Sequence, residues 1–148
     1  VNYIINRYLK HPIYEYKIFS LTRLEEFYGL VVTRECSYRE SKALRVIDIL
    51  MFNEKGWEDL GLLFEDLSIS KNYEYVDLYI FGLPEEIINK TGFIELNDEI
   101  KSQGVIIPNY FEPFEQKNIE ILWAYKHSPK YTPMIFKGDC DQDRPGFF

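Results

Sequence analysis

The chain has 148 residues and a formal net charge of −7, with 17 basic side chains against 24 acidic ones. That length suits one domain with a real core. The charge argues against nucleic acid and anionic membrane surfaces, because both need a Lys/Arg footprint and no basic run supplies one. Hydrophobic residues at 46% and aromatic residues at 17% argue against disorder, and leave two uses for the rings: a packed core, or faces that hold a ligand.

In chain order, RYLKHP (7–12) ends at a proline that stops any helix begun at Asn2. YEYKIFSL (14–21) places Tyr14, Tyr16 and Ile18 on one side and predicts a strand. FYGLVVTRE (27–35) predicts a second strand, β-branched in its middle, joined to the first by a polar hairpin link at 22–26. After a polar turn at 37–42, ALRVIDILMF (43–52) is a nearly continuous apolar strand broken by Arg45 and Asp48, the pattern of a strand buried on both faces. NEKG (53–56) is a turn. Trp57, Leu60, Phe64 and Leu67 then recur at helical spacing, with Glu58 and Asp59 suiting the first turn of the helix dipole. YVDLYIF (75–81) is a further strand, so that helix is a crossover. Pro84 opens a short helix that Gly92 closes. FIEL (93–96) reads as a short strand, paired antiparallel with IEILWAYK (119–126) across a loop containing GVIIPNYFEPF. The expected architecture is α+β, an α-β-α layering with a mixed, mostly antiparallel central sheet and flanking helices. It spans residues 1–148 as one domain, with an irregular acidic tail over 127–148.

Cys36 and Cys140 lack CxxC spacing and the His neighbours of a zinc site, so both read as free thiols of a reducing compartment, and a cytoplasmic location is expected. No apolar run reaches bilayer length and no signal peptide is visible. The first residue is Val1 rather than Met, which fits a piece of a longer protein.

The order strand, strand, strand, helix, strand, short helix, GF, strand, strand resembles the GNAT superfamily of acyl-CoA-dependent N-acyltransferases. INKTGFIEL (88–96) carries the short helix, GF turn and following strand, while LRVIDILMF (44–52) and the helix from about Lys55 stand where the family has its central strand and cofactor helix. The likeness covers residues 14–126. RYLKHPIYEY and GDCDQDRP also resemble a bacterial GNAT-like subgroup, often with two such halves in one chain and associated with surface polysaccharide. The resemblance implies acetyl-CoA as cofactor, a small amine or amino sugar as acceptor, and a second GNAT-like half or a homodimer as partner. It places the cofactor on the backbone after the central strand, at Phe52, Asn53, Lys55, Gly56 and Trp57. It makes Asp48 the candidate base. Tyr79 becomes a substitute acid, with Tyr110 as the other candidate, because Ile88 stands where the family's short helix carries Tyr.

Two departures set up an alternative. The family's pyrophosphate loop resembles R/Q-x-x-G-x-G/A, whereas this chain has FNEKGWEDLG, with Glu54, Glu58 and Asp59 around a lone Lys55. A non-catalytic GNAT-like half that packs on a partner, or binds ligand without turnover, is therefore the second expectation. Asp48 has its own plain alternative, an ion pair with Arg45 or a turn cap. His11 and His127 read as surface histidines.

The tail GDCDQDRPGFF puts Asp139, Asp141 and Asp143 in alternation. An EF-hand loop needs Gly where Arg144 stands and a distal Glu that is missing, so no metal site is expected. Two uses remain: Asx-type turns in which the carboxylates accept backbone N–H bonds, or a substrate patch in which Asp139 and Asp141 hold an amino group or sugar hydroxyls beside Tyr110 and Phe111.

Overall fold

The computed structural model describes residues 2–107, 116–118, 124–126, 130 and 132–139. Its centre is a four-stranded sheet in the order β1–β2–β3–β4, built from β1 (Lys17–Arg23), β2 (Glu26–Tyr38), β3 (Ser41–Met51) and β4 (Tyr75–Leu78). The first two pairings are antiparallel, and β4 lies parallel to β3. A parallel return needs a crossover, and α2 (Gly56–Lys71) supplies it. The fold is thus mixed α+β with a mostly antiparallel sheet, as the sequence predicts.

Helices lie on both faces. On one, Trp57, Leu60 and Phe64 of α2 are buried against Leu44, Val46 and Ile49 of the sheet. On the other, a helical turn α1 (Asn2–Ile4) runs into a π-helical stretch, Ile5–Leu9, and packs Ile4 and Tyr8 on Val32 and Ile47. This helix ends before Pro12, where the predicted break falls.

Two details of β3 position the site. Val32 pairs with Asp48 while the next residue, Thr33, pairs with Val46, so β3 carries one extra residue, a β-bulge at Ile47. The bulge lets Ile47 and Asp48 reach the same face, that of the N-terminal helix. Further, β4 pairs with β3 only from Ala43 to Val46. Beyond that the chain veers away. β5 (Ile80–Phe81) instead pairs antiparallel with β6 (Ile135–Phe136), followed by a 3-10 turn, Lys137–Asp139.

Several boundaries need correcting. The strand expected at 14–21 starts at Lys17, and the one expected at 75–81 is broken at Tyr79 into β4 and β5. α3 (Glu85–Thr91) forms as expected, with Pro84 at its start and Gly92 in the left-handed conformation at its end. No strand forms at 93–96: Phe93 packs on Phe64, Ile94 is 81% exposed, and no strand of the described residues pairs with them. Instead α4 (Asp98–Ser102) follows, its first turn capped by Asn97 Oδ1, which accepts the Ile100 N–H at 3.0 Å. Of the partner strand expected at 119–126, residues 119–123 lie outside the described part, and 124–126 are neither strand nor helix. Among the described residues, no helix is long and apolar enough to cross a membrane.

Candidate functional site

The link from β3 to α2 is where the resemblance puts a CoA pyrophosphate. An anion cradle works by leaving backbone N–H groups open to the ligand. Here they are bonded within the chain. The N–H groups of Phe52 and Asn53 both donate to the Tyr28 carbonyl, at 2.8 and 3.2 Å. That of Lys55 donates to Asn53 Oδ1 at 3.1 Å. Those of Gly56, Trp57 and Glu58 donate to the carbonyls of Asn53, Glu54 and Lys55, at 3.0 to 3.2 Å. Gly56 serves packing: a Cβ there would fall 2.3 Å from the Met51 sulfur and 3.2 Å from Tyr28 Cβ. Gly61 does likewise, its α-carbon facing the Thr91 carbonyl of α3. Trp57, placed at the cofactor by the resemblance, is 4% exposed and belongs to the core, while Phe52 is turned out beside Phe27 with ring centroids 5.7 Å apart. The five residues expected to bind cofactor are therefore together in space but closed on themselves.

Asp48 is 7% exposed. Its Oδ2 accepts a hydrogen bond from the Tyr8 hydroxyl at 2.8 Å. Burial pushes its carboxyl above the ordinary range, against the Tyr8 bond that favours the charged form, and nearby Asp139 pushes it further the same way. The Tyr8 phenol is raised as well, by burial first and then by the Asp48 charge. The pair can hold a proton, and a carboxyl of this kind suits general acid–base work. The expected ion pair of Asp48 with Arg45 does not form, because the guanidinium is already committed.

That commitment is to Asp77. Arg45 Nε donates to both carboxylate oxygens, at 2.9 and 3.0 Å, and Nη2 adds another bond to Oδ2. Both residues are buried, Arg45 at 1% and Asp77 at 7% exposed. The parallel register makes them direct neighbours across β3 and β4. Tyr79, just past β4, has the Arg45 guanidinium 5.1 Å and the Lys137 ammonium 5.0 Å from its ring centroid. Burial raises its phenol, and the Asp77 charge adds to this, so Tyr79 keeps its proton at neutral pH. Asp48 is engaged by Tyr8, and Tyr79 by the two cations. Asp139 is exposed, and its Oδ2 accepts the Phe136 N–H at 3.0 Å, a side-chain turn bond of the kind expected for the tail.

Tyr110, Phe111 and Asp141, and with them Phe114, Cys140, Asp143, Arg144 and His127, lie outside the described residues. Among the described residues, no group of His, Cys, Asp and Glu could hold a metal ion. His11 is structural: its Nδ1 accepts from the Tyr14 N–H at 2.9 Å, and the ring stacks on Tyr14. Cys36 is buried.

Sequence reasoning missed Tyr8, Asp77 and Lys137. Asp77 had a usable signal, an acid within an apolar strand beside another strand broken by Arg45. Tyr8 had none, because only the bulge and the return of the N-terminal helix bring residues 8 and 48 together. Comparison of the chain with protein-family models, curated proteins and solved structures found no match.

Proposed function

We propose that this chain is a GNAT-like domain that keeps an N-acyltransferase scaffold without turning over a CoA thioester. It serves as a half that packs on an active partner half, or it holds a small amine or amino sugar unreacted. One observation carries this reading: the backbone N–H groups of Phe52, Asn53, Lys55, Gly56, Trp57 and Glu58, which would grip a pyrophosphate, are bonded to the chain's own acceptors. The order of strands around a crossover helix supports the scaffold. The acidic Glu54 and Glu58 add repulsion to any anion at the loop.

A thermal-melt titration with acetyl-CoA and with free CoA tests it. A ligand that binds the native state raises the melting temperature in a saturable way. The expected result is no saturable shift up to about millimolar ligand, a regime in which even weak sites register. A second reading, acyl transfer itself, is favoured by Asp48, a buried carboxyl on the central strand that burial raises above the ordinary carboxylate range. There Asp48 would take the ammonium proton and Tyr79 would protonate the departing thiolate. A saturable shift with acetyl-CoA, together with amine acylation that Asp48→Asn abolishes, would establish that reading and overturn the first.

A further inference from the structure

Residues 133–139 lie where β3 and β5 diverge. Ile135 and Phe136 pair with β5, the Phe136 ring joins the core beneath α2, and Lys137 and Gly138 are buried. Gly138 meets the N-terminal helix and β3 at once. A Cβ there would lie 2.5 Å from the Tyr8 hydroxyl oxygen and 2.9 Å from the Ile47 carbonyl oxygen. The same hydroxyl is the one bonded to Asp48. Three elements therefore converge on one phenol oxygen: the helix that carries it, the β3 residue beside the bulge that accepts its hydrogen bond, and the strap pressed against it. The strap's next residue, Asp139, adds a second carboxylate to the junction.

The described charged and titratable groups that face Asp48 are Tyr8 and Arg7 from the N-terminal helix and Asp139 from the strap; β3 adds the Ile49 N–H. Lys137, also on the strap, is directed at Tyr79 instead. Arg7 thus offsets two carboxylates, one of them out of water. The strap's ladder is two residues long, against seven or more pairs in each antiparallel pairing of the sheet, so it leans on the burial of Phe136, Lys137 and Gly138, and short segments of this kind open before the sheet does.

We propose that residues 133–139 form a proton-controlled latch. The strap seats on Tyr8 and Ile47 most firmly when the Asp48 carboxyl carries a proton, and it loosens when Asp48 and Asp139 are both charged. Opening frees Asp48 and the edge of β3 beyond Val46, which no strand of the described residues covers. The sign follows from linkage: the closed state raises the affinity of Asp48 for its proton. Closure is therefore fully favoured below the ordinary Asp range, and that favour is lost as pH rises through the raised value.

Hydrogen exchange on the whole chain reads this directly, after correction for intrinsic rates. Between about pH 7.5 and about pH 4.5, amides of residues 134–139 should become better protected, the direction that linkage to the buried Asp48 gives. Amides of α2 serve as the internal control and should not follow. Asp48→Asn, which mimics the protonated form, should hold the slow rate at every pH. A flat profile in the parent chain, or the same profile surviving in Asp48→Asn, overturns the latch. Should Asp48→Asn fail to fold, Asp139→Asn on the exposed strap gives the answer. It should shrink the pH dependence, and an unchanged profile removes the second carboxylate from the device and with it the proposal.

Discussion

Arg45 and Asp77 show how much one pair of side chains can hang on its setting. Each is almost fully withdrawn from water, and each interrupts an apolar strand. Breaking a buried ion pair by deleting one partner costs about 3–5 kcal/mol, because the survivor stays buried and uncompensated. Asp77→Ala should therefore lower stability by about that much in urea melts, whereas Arg45→Met combined with Asp77→Leu should come within about 1 kcal/mol of the parent. Equal losses in the two variants would mean that the pair's geometry, not its charge, is what the sheet needs. Half of this pair was legible in the sequence, since both charges stand out in their strands. Its consequence was not, because nothing local says that Arg45 is taken and that Asp48 must look elsewhere. The glycine after β3 is ambiguous for a related reason. Gly56 packs against Met51 and Tyr28, and the sequence alone cannot distinguish a neighbour from a ligand.

At the scale of elements, the strands and the crossover helix were readable because their periodicity is strong and burial enforces it. The Trp57, Leu60 and Phe64 stripe is the stripe that is buried. The false strand at 93–96 shows where periodicity fails, since a four-residue apolar run is ambiguous until a partner strand decides it. The capped turn after it had a signal, Asn97 followed by two acids, which the strand reading overrode. The β1–β2 hairpin has a different character. Its two-residue turn puts Leu24 at φ 50° and Glu25 at φ 66°, with Leu24 95% exposed. Both angles belong to the type I′ turn, where Asn and Gly are at ease and a branched side chain is strained. Replacing Leu24-Glu25 by Asn-Gly should stabilise the chain by about 1 kcal/mol, raising Tm by roughly 2–4 °C. A fall in Tm would show that the exposed Leu24 has a partner on the folded protein.

Across the whole molecule, the sheet separates two unequal cores. The side under α2 gathers the larger buried set, and the N-terminal side is a smaller cluster around Tyr8, Tyr16, Val32 and Ile47. No pattern in the sequence announced which strand residues serve which side, because the extra residue at Ile47 shifts the count halfway along β3. Leu44 and Val46 face α2 before it, Ile49 after it. That shift has a consequence for how the gene can change length. Removing Ile47 leaves the remaining residues of β3 in strict alternation, with every one still on its present side, whereas removing Leu44 either turns Arg45 toward α2 or puts the start of the strand out of phase with the rest. A chain lacking Ile47 should still melt cooperatively, and one lacking Leu44 should not; the same broad transition in both would refute the count. Asp48 thus stands beside the place in β3 where the strand can lose a codon and keep its alternation, and the carboxylate enters the sheet next to the extra residue rather than in place of one that packs under α2.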